Sequence, residues 1–495
     1  MEISTPLFLS VLLLALPLLC FLLLKSRPPS KNFPPGPPAL PIVGNLLQLG
    51  SKPHVHVADL ARTFGPLFSL RFGSQPVIVA SSPSAAAQVL KVHDRVLSGR
   101  YLVDVVKSKS YPELSMVWSD CTEEWKNLRR ICRMELFGPK MMQAQAVVRE
   151  QKVSELVGLL RRKEGEMVKL GELVFGTIFN VLGNLIFSAD VIDLGSPTGD
   201  AAGLKSLICK LLEVGSATNL ADHFPILGGL DLFGHRKACE EHREAVFESW
   251  KHLIKERRER YGEGGDLNPR HDFLDILIGD GFSDDRINVL LLELFSAASD
   301  TTTSTVEWAM AELIKNQTFM DKLRVELESV GNSNEGTLRE AHLPHLSYLN
   351  ACVKETLRLH PPTPLLLPRR ALEPCQVMNY TIPKDCQVMV NAWAIGRDPG
   401  TWEDPLVFQP QRFLNSPVDY KGNDFELLPF GGGRRICPGI PLAGQLVLLI
   451  LANLVLAFEW SLPNGMDPAE LTMEEKFGLT LNKDPPLLVV PKVKS

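Results

Sequence analysis

The fold is decided by one stretch of the sequence, Phe430-Gly431-Gly432-Gly433-Arg434-Arg435-Ile436-Cys437-Pro438-Gly439. Its glycines and its proline exclude a regular helix until after Ile440, where an apolar helical pattern begins with Leu442 and Ala443. A thiolate just ahead of a helix N-terminus is stabilised by backbone N–H groups and by the helix dipole. We therefore predict an ionised Cys437 in a loop whose glycines let a flat ligand approach the backbone closely.

Two interpretations of Cys437 are open from the residue alone, and the ordinary one is a buried cysteine in a glycine-rich turn. The neighbours make the pattern more specific. Phe430 lies seven residues before the cysteine, Arg435 lies two before it and Gly439 lies two after it. The phenyl ring could pack on a flat ligand, and the guanidinium could pair with an acidic group of that ligand.

The spacing Phe430-x-x-Gly433-x-Arg435-x-Cys437-x-Gly439 resembles the haem-binding signature of the cytochrome P450 family. The resemblance implies the cytochrome P450 fold, mainly α with small β-sheets, and haem b (iron protoporphyrin IX) as cofactor. It also implies that Cys437 is the axial iron ligand, a thiolate that favours O–O cleavage in this family. Phe430, Arg435 and Gly439 would then be haem-binding residues.

Three further residues resemble the family's contacts with the haem propionates. Trp125 and Arg129 are spaced i, i+4 on a predicted helix, and Arg369 follows the apolar segment Leu365–Pro368. Taken singly, each arginine is equally consistent with an ordinary solvated side chain.

Glu355 and Arg358 are spaced i, i+3 on a predicted helix, so their side chains share one face and can pair. An exposed pair of this kind would contribute little to stability. The spacing resembles the family's E-x-x-R motif, which implies a buried network completed by Arg412. Because Gln411 stands where the family usually has Glu, we expect this network to survive with one fewer charge.

One predicted helix is unusually long. Ser283 can cap its N-terminus, acidic residues follow, and no Pro or Gly interrupts it before about Lys315. Its middle, Thr301–Val306, consists of β-branched or hydroxyl residues, which are poor helix formers. A local sequence that conflicts with the element around it is typical of a functional site.

The centre of that helix, Ala297–Thr302, resembles the family's oxygen-activation motif. The resemblance implies that Asp300 and Thr301 are the catalytic acid–alcohol pair that delivers protons to dioxygen. Ala298 stands where glycine is usual, so we expect a slightly narrower groove over the haem.

The N-terminus predicts a membrane segment. Pro6–Leu24 is an uncharged apolar run long enough to cross ~30 Å of hydrocarbon as a helix. Lys25, Arg27 and Lys31 follow it, which favours a cytosolic location for the rest of the chain. A cleaved signal peptide is the alternative, disfavoured by the missing basic n-region and cleavage site.

From this pattern we predict a transmembrane anchor at 1–24, a basic and Pro-rich hinge at 25–41, and a haem-thiolate catalytic domain at 42–495. This would be a single-pass protein of the endoplasmic reticulum membrane, in contact with lipid. The net charge of −5 and pI near 6.2 give no reason to expect nucleic-acid binding. Nine scattered cysteines indicate a reducing compartment rather than a disulfide scaffold.

The body of the domain is predicted to be mostly helical between about Thr122 and Leu359. Short strands are predicted at Leu67–Phe72, at Val77–Val79 and near Cys386–Trp393. A surface loop rich in Gly and charge is predicted over Tyr261–His271.

Segments outside the shared motifs resemble plant enzymes of benzylisoquinoline alkaloid metabolism; they are His93–Tyr101, Asn379–Pro383, Gly422–Leu427, Met466–Pro468 and Met473–Thr480. The resemblance implies a small hydrophobic phenolic alkaloid and O2 as substrates, with electrons from NADPH-cytochrome P450 reductase. The basic residues Lys126, Arg130 and Arg133 suit an acidic flavoprotein, and they are equally consistent with solvated charges.

The reaction that this resemblance favours is aromatic 3′-hydroxylation of the N-methylcoclaurine type. The alternative is intra- or intermolecular phenol coupling, which gives proaporphines, aporphines or bisbenzylisoquinolines; terpenoid hydroxylation is a weaker alternative. A haem-binding membrane protein without turnover belongs to a different class, and Asp300 with Thr301 argues against it. Glu293 is the nearest pocket-side acid for a substrate amine, although a solvated or helix-paired glutamate is an equally good interpretation.

Overall fold

The computed structural model describes residues 32–494 except 109, 195–202, 218, 225–226, 229, 263–271 and 331–336. The predicted membrane anchor (1–24) and the first part of the predicted hinge (25–31) lie outside the described residues. Most of the loop predicted over Tyr261–His271 also lies outside them, and the helix before it continues through Gly262.

Helices dominate the described chain, as the sequence predicts. The α-helices are α1 Pro53–Phe64, α2 Pro83–Ala87, α3 Tyr111–Leu114, α4 Glu123–Glu135, α5 Pro139–Ala144, α6 Ala146–Arg162, α7 Leu170–Phe187, α8 Leu204–Ser216, α9 Leu220–His223, α10 His235–Gly262, α11 Phe273–Gly279, α12 Asp284–Lys315, α13 Gln317–Val330, α14 Ser347–Leu359, α15 Ala392–Ile395 and α16 Ile440–Ala457.

The strands form small sheets at the periphery. They are β1 Leu67–Phe72, β2 Gln75–Ala80, β3 Gly99–Arg100, β4 Val168–Lys169, β5 Arg369–Arg370, β6 Cys375–Val377, β7 Tyr380–Ile382, β8 Gln387–Val390, β9 Phe458–Ser461, β10 Glu474–Lys476, β11 Asn482–Asp484 and β12 Leu488–Val493. The largest sheet has the order β1-β2-β8-β5-β3, in which only the β2–β8 pair is parallel. Smaller sheets pair β10 with β11, β6 with β7, and β12 with both β4 and β9.

Most predicted strands are confirmed, but the strand predicted near Cys386–Trp393 ends at Val390. The side chain of Asn391 accepts a hydrogen bond from the amide of Ala394 at 2.9 Å and caps α15. Because this cap starts a helical turn, Trp393 is helical and that part of the prediction is wrong.

The long helix α12 runs through the core, where it packs against α7, α14 and α16. Its predicted limits are confirmed, and the Ser283 hydroxyl accepts a hydrogen bond from the amide of Arg286 at 3.3 Å. Of the poor helix formers in its middle, all but Thr301 are buried, and Thr305 satisfies its hydroxyl by donating to the carbonyl of Thr301 at 2.9 Å. Tertiary burial therefore overrides their weak helix propensity.

Two helices in the described part of the chain are long and apolar enough to cross a membrane, α7 and α16. The protein itself buries 78% of α7 and 72% of α16, so both are core helices of the catalytic body.

The described part of the Pro-rich segment lies along the edge strand β1. The Ser69 amide donates to the carbonyl of Pro35 and the Ser69 hydroxyl to that of Pro34, each at 2.7 Å. Proline can accept such bonds but cannot donate one to a neighbouring strand. The segment therefore docks on the body already at Pro34.

Candidate active site

A cavity lies between the middle of α12, the loop before β5 and the loop that carries Cys437. It contains about 1420 Å³ of space unfilled by atoms, including its opening to solvent. It reaches from Glu293 and Thr301 on the long helix α12 to Cys437 ahead of α16, so the predicted iron ligand and the predicted oxygen-activation residue face one cavity.

The Cys437 loop is closed by its own backbone, because the Cys437 amide donates to the carbonyl of Phe430 at 3.1 Å. Gly433 has a φ of +65°, and a Cβ there would lie 1.7 Å from the carbonyl oxygen of Leu90. No other residue fits this position without moving that backbone. Cys437, Phe430 and Gly439 all line the cavity.

Cys437 lies directly ahead of α16, as the sequence predicts. Burial raises the pKa of its thiol, while the amides of Gly439 and Ile440 and the charge of Arg129 oppose that rise. A metal cation at the sulfur would complete the shift towards thiolate, because coordinated thiols are deprotonated. The donor chemistry therefore fits an axial iron ligand.

Four arginines, Arg100, Arg129, Arg369 and Arg435, line one side of the same cavity. None forms an ion pair with a carboxylate within the described chain. Burial and the neighbouring Arg435 lower the pKa of Arg369 to about 10, and burial with the charges of Arg435, Arg369 and Arg129 lowers the pKa of Arg100. Buried positive charges without a counter-charge require an anion, and the two propionates of haem would supply it.

Each arginine is held in place by backbone carbonyls. Arg129 donates to Ile436 at 2.7 Å, Arg369 to Gly432 at 3.1 Å, and Arg435 to Ser98 at 2.9 Å. One terminal nitrogen of Arg435, Nη1, is buried and has no hydrogen-bond partner among the residues that the structure describes. An orphaned buried donor of this kind is a further sign that an anionic group belongs there.

Trp125 lies between two of these arginines. Its ring is 5.1 Å from the guanidinium of Arg129 and 4.7 Å from that of Arg435. Its indole N–H donates to the carbonyl of Met116 at 2.9 Å. In this arrangement Trp125 positions the two arginines through cation–π contacts, and its direct contact with a propionate stays a prediction.

Sequence reasoning did not assign Arg100 to the haem. Its guanidinium donates to the carbonyls of Val117 at 2.9 Å and Leu367 at 3.1 Å. The residue reaches the cavity because β3 pairs with β5, which places Arg100 directly opposite Arg369. This pairing joins positions 269 residues apart, and no local pattern could have indicated it.

Thr301 faces the cavity from α12, and its hydroxyl donates to the carbonyl of Ala297 at 2.7 Å. Asp300 does not line the cavity. Burial raises the pKa of its carboxyl group, while hydrogen bonds from the side chains of Thr480 and Asn482 oppose the rise. The predicted acid and the predicted alcohol therefore have different surroundings, and their catalytic roles stay predictions.

The residues Glu355, Arg358 and Arg412 form one connected group at the end of α14. Arg358 binds the Glu355 carboxylate with two hydrogen bonds of 2.7 and 2.8 Å, and Arg412 binds it at 3.0 Å. Glu355 and Arg358 are completely buried. Gln411, the departure from the family pattern, is exposed and contributes no hydrogen bond to this group.

Glu293 also lines the cavity, two turns before Thr301, and is 4% exposed. Its carboxylate accepts hydrogen bonds from the Ser115 hydroxyl and from the amides of Met116, at 2.8 Å, and Val117, at 3.3 Å. Burial raises its pKa to about 7, although these hydrogen bonds act in the opposite direction. It is therefore neither the solvated nor the helix-paired glutamate that the sequence left open.

Comparison with known proteins gives matches over nearly the whole chain. The family described as Cytochrome P450 matches residues 34–490. Probable (S)-N-methylcoclaurine 3′-hydroxylase isozyme 2 of Coptis japonica is 59% identical over 477 residues, covering 96% of each chain. Corytuberine synthase of Coptis japonica is 47% identical, covering 97% of this chain and 98% of that protein. Berbamunine synthase of Berberis stolonifera is 44% identical, covering 98% and 99%.

Proposed function

This chain belongs to the cytochrome P450 family and is a haem b monooxygenase, and from that premise we propose that it oxidises a phenolic benzylisoquinoline alkaloid. The observation that carries the proposal is the 59% identity to a protein named for N-methylcoclaurine, across 96% of both chains. Corytuberine synthase and berbamunine synthase, which act on the same class of alkaloid, support it over the terpenoid alternative.

When bound, the haem supplies activation of O2 with electrons delivered by an NADPH-dependent reductase. In our proposal the chain holds the iron through the Cys437 sulfur, and its four arginines neutralise the propionates. Thr301 Oγ1 holds a proton next to the oxygen site, and Asp300 replaces that proton. The apolar wall of the cavity keeps bulk water away from the reacting ring.

We propose aromatic 3′-hydroxylation as the reaction, because the 59% identical relative carries that activity in its name. Phenol coupling is the second candidate, since the relatives at 47% and 44% identity are phenol-coupling enzymes. Both reactions begin from the same oxidant. They differ in how the phenol is held over the haem.

The test is to incubate membranes containing the protein and the reductase with (S)-N-methylcoclaurine and NADPH. A product that has gained one oxygen atom supports hydroxylation, whereas a product that has lost two hydrogen atoms supports coupling. NADPH consumption that the substrate does not stimulate, with no product, would refute the proposed substrate. A Cys437→Ala variant measures the background of the membranes.

We propose further that the protein is anchored in the endoplasmic reticulum membrane by residues 1–24, with the catalytic body in the cytosol. The apolar run and the basic residues behind it support this topology. Alkaline extraction tests it, because the full chain should stay with the membrane and a chain lacking 1–24 should bind far less firmly.

We propose that the reductase docks on the exposed side of α4. Lys126, Arg130 and Arg133 are exposed on this helix, while Arg129 of the same helix reaches the cavity. Charge reversal at Arg133 should slow haem reduction more at low than at high salt, because surface charge pairs are screened.

A further inference from the structure

The cavity presents a single acidic side chain among the described residues that line it, Glu293. Its four basic residues are the arginines that surround the place of the propionates. The wall between these two regions is apolar and includes Leu294, Ala297 and Phe137. A substrate that fills this space therefore meets a single acidic side chain, Glu293, whose nearest basic neighbour among these arginines is Arg100.

We propose that Glu293 is a specificity-determining residue that binds the protonated amine of the substrate. This inference rests on the proposed benzylisoquinoline substrate, whose ring nitrogen is basic. A buried carboxylate is costly unless a cation or several donors compensate it. The protein provides three donors, but Glu293 forms no ion pair within the described chain. A substrate ammonium group would complete the site.

Three donors hold the carboxylate, and the Val117 amide is shared between both oxygens at 3.3 and 3.4 Å, so one further donor can still bind. An ionised carboxylate offers about four acceptor positions, and Ser115, Met116 and Val117 supply three donors. These donors also fix the direction of the carboxylate, because they come from a loop outside α12. A substrate N–H would thus meet an acceptor that is already oriented.

The position along α12 suits a molecule with two linked ring systems. Glu293 and Thr301 are eight residues apart, or about 12 Å along the helix axis. Ala297 and Ala298 lie between them and leave space for a flat ring. An amine held at Glu293 would place the second ring near Thr301, where the oxygen site is predicted.

Glu293 is the group in this cluster whose charge changes near neutral pH. Burial raises the pKa of Tyr111, from α3, and raises that of Cys132, from α4, to about 12, so both stay neutral. Three arginines supply positive charge to this cluster: Arg100, from β3, acts on Glu293, Arg129, from α4, acts on Cys132, and Arg243, from α10, lies over the ring of Tyr111. Because burial raises the pKa of Glu293 to about 7, the carboxylate forms as pH rises through about 7. Amine affinity should therefore increase with pH over that range.

The experiment measures ligand affinity from the absorbance change of the holoenzyme on binding, and it compares the affinities within two pairs of ligands. The first pair is N-methylcoclaurine and the neutral amide N-acetylcoclaurine; the second is 1-benzyltetrahydroisoquinoline, which lacks phenols, and its N-acetyl derivative. We expect the wild type to prefer the amine in both pairs by roughly tenfold or more. Glu293→Gln should remove this preference and its pH dependence, while Glu293→Asp should retain part of both.

Ser115→Ala is the matched control, because it removes one donor from Glu293 and keeps the carboxylate. It should preserve the preference for amines. If Glu293→Gln weakens amines and amides equally, Glu293 only anchors the loop and the inference is overturned. If Glu293→Gln fails to bind haem, the wild type alone provides the test. A preference for amines that does not change between about pH 6 and about pH 8 would then overturn the inference. If the wild type prefers the amine of the second pair but does not turn over N-methylcoclaurine, the proposed substrate is refuted and the amine site is supported.

Discussion

Asp300 and Thr301 are adjacent in the chain, but their side chains have different surroundings. The carboxyl group of Asp300 is held by Thr480 and Asn482, whereas the hydroxyl group of Thr301 faces the cavity. Side chains of successive helix residues point about 100° apart. Asp300 can therefore bind the β10–β11 hairpin while Thr301 faces the cavity. If Asp300 replaces the proton of Thr301, its partners on the hairpin control that step.

Replacing the hydroxyl group of Thr301 should uncouple electron consumption from product formation. In Thr301→Val the proton donor beside the oxygen site is lost, while the shape of the side chain is kept. We expect substrate affinity to stay near the wild-type value and product per NADPH to fall about tenfold or more. Product and NADPH are measured in the same reaction.

Thr305→Val is the control for this change, because Thr305 lies one turn further along α12 and its hydroxyl bonds the carbonyl of Thr301. Thr305 does not line the cavity. Equal coupling in Thr301→Val and Thr305→Val would show that the hydroxyl at Thr301 has no special role.

Asp300→Asn should slow the reaction without weakening substrate binding. The variant keeps the size of the side chain and removes the transferable proton. Loss of a general acid typically costs about 10²-fold or more in rate. The measurement is kcat and the substrate dissociation constant, with a solvent deuterium isotope effect on kcat. An unchanged kcat would exclude Asp300 from proton delivery.

The Glu355 group should be needed for a stable fold. Glu355→Gln leaves the two buried guanidinium groups of Arg358 and Arg412 without their shared negative charge. Breaking a buried ion pair typically costs about 3–5 kcal/mol. We expect a large fall in the thermal unfolding temperature and in the yield of haem-loaded protein.

The reverse change at Gln411 provides a contrast. Gln411→Glu restores the acid that the family usually has at this position, but the side chain is exposed. Exposed substitutions usually alter stability by no more than about 0.5 kcal/mol. A stabilisation much larger than this would mean that the position reaches the buried network.

Local sequence accounts for much of this fold. The Ser283 cap and the absence of Pro and Gly predict α12 to its last residue, and the glycines before Cys437 predict a loop that ends at α16. These features are determined by residues that are close in the sequence, so a local sequence pattern predicts them. The side chain of Asn391 caps α15 and so ends β8, which is also a local effect, but the apolar run around it predicts a longer strand.

Long-range contacts account for the rest of the site. Arg100 reaches the propionate side through its register with Arg369, and Glu293 becomes a buried acid because the distant segment Ser115–Val117 folds over it. Asp300 turns to the hairpin because Thr480 and Asn482 supply donors there. Burial and charge at these positions depend on which segments meet, and helical periodicity carries no information on that.

Buried charges anchor the same hairpin at its other end. The carboxylate of Glu475 contacts His54 at 2.9 Å, Trp393 at 3.2 Å, Arg397 at 3.3 Å and His360 at 3.6 Å. Burial opposes ionisation of Glu475, but the contacts with His360 and His54 and the charge of Arg397 hold its pKa well below the usual range. The β10–β11 hairpin, and with it the contacts of Asp300, is thus tied to α1, α14 and the chain beyond α15.

Glu475→Gln should therefore destabilise the protein at neutral pH by about 3–5 kcal/mol, because it removes the charge that its basic partners require. Since the pKa of Glu475 is lower in the folded than in the unfolded state, its stabilisation is complete above the unfolded value of about 4.3 and is lost as pH falls below it. The Glu475→Gln variant should lose less stability than the wild type on acidification over that range.

Glu474→Gln, at the exposed neighbour that pairs with Lys52, should cost no more than about 1 kcal/mol. Thermal unfolding of the three proteins from neutral pH to about pH 4 measures both effects; equal destabilisation by the two variants would show that the buried contacts of Glu475 do not anchor the hairpin.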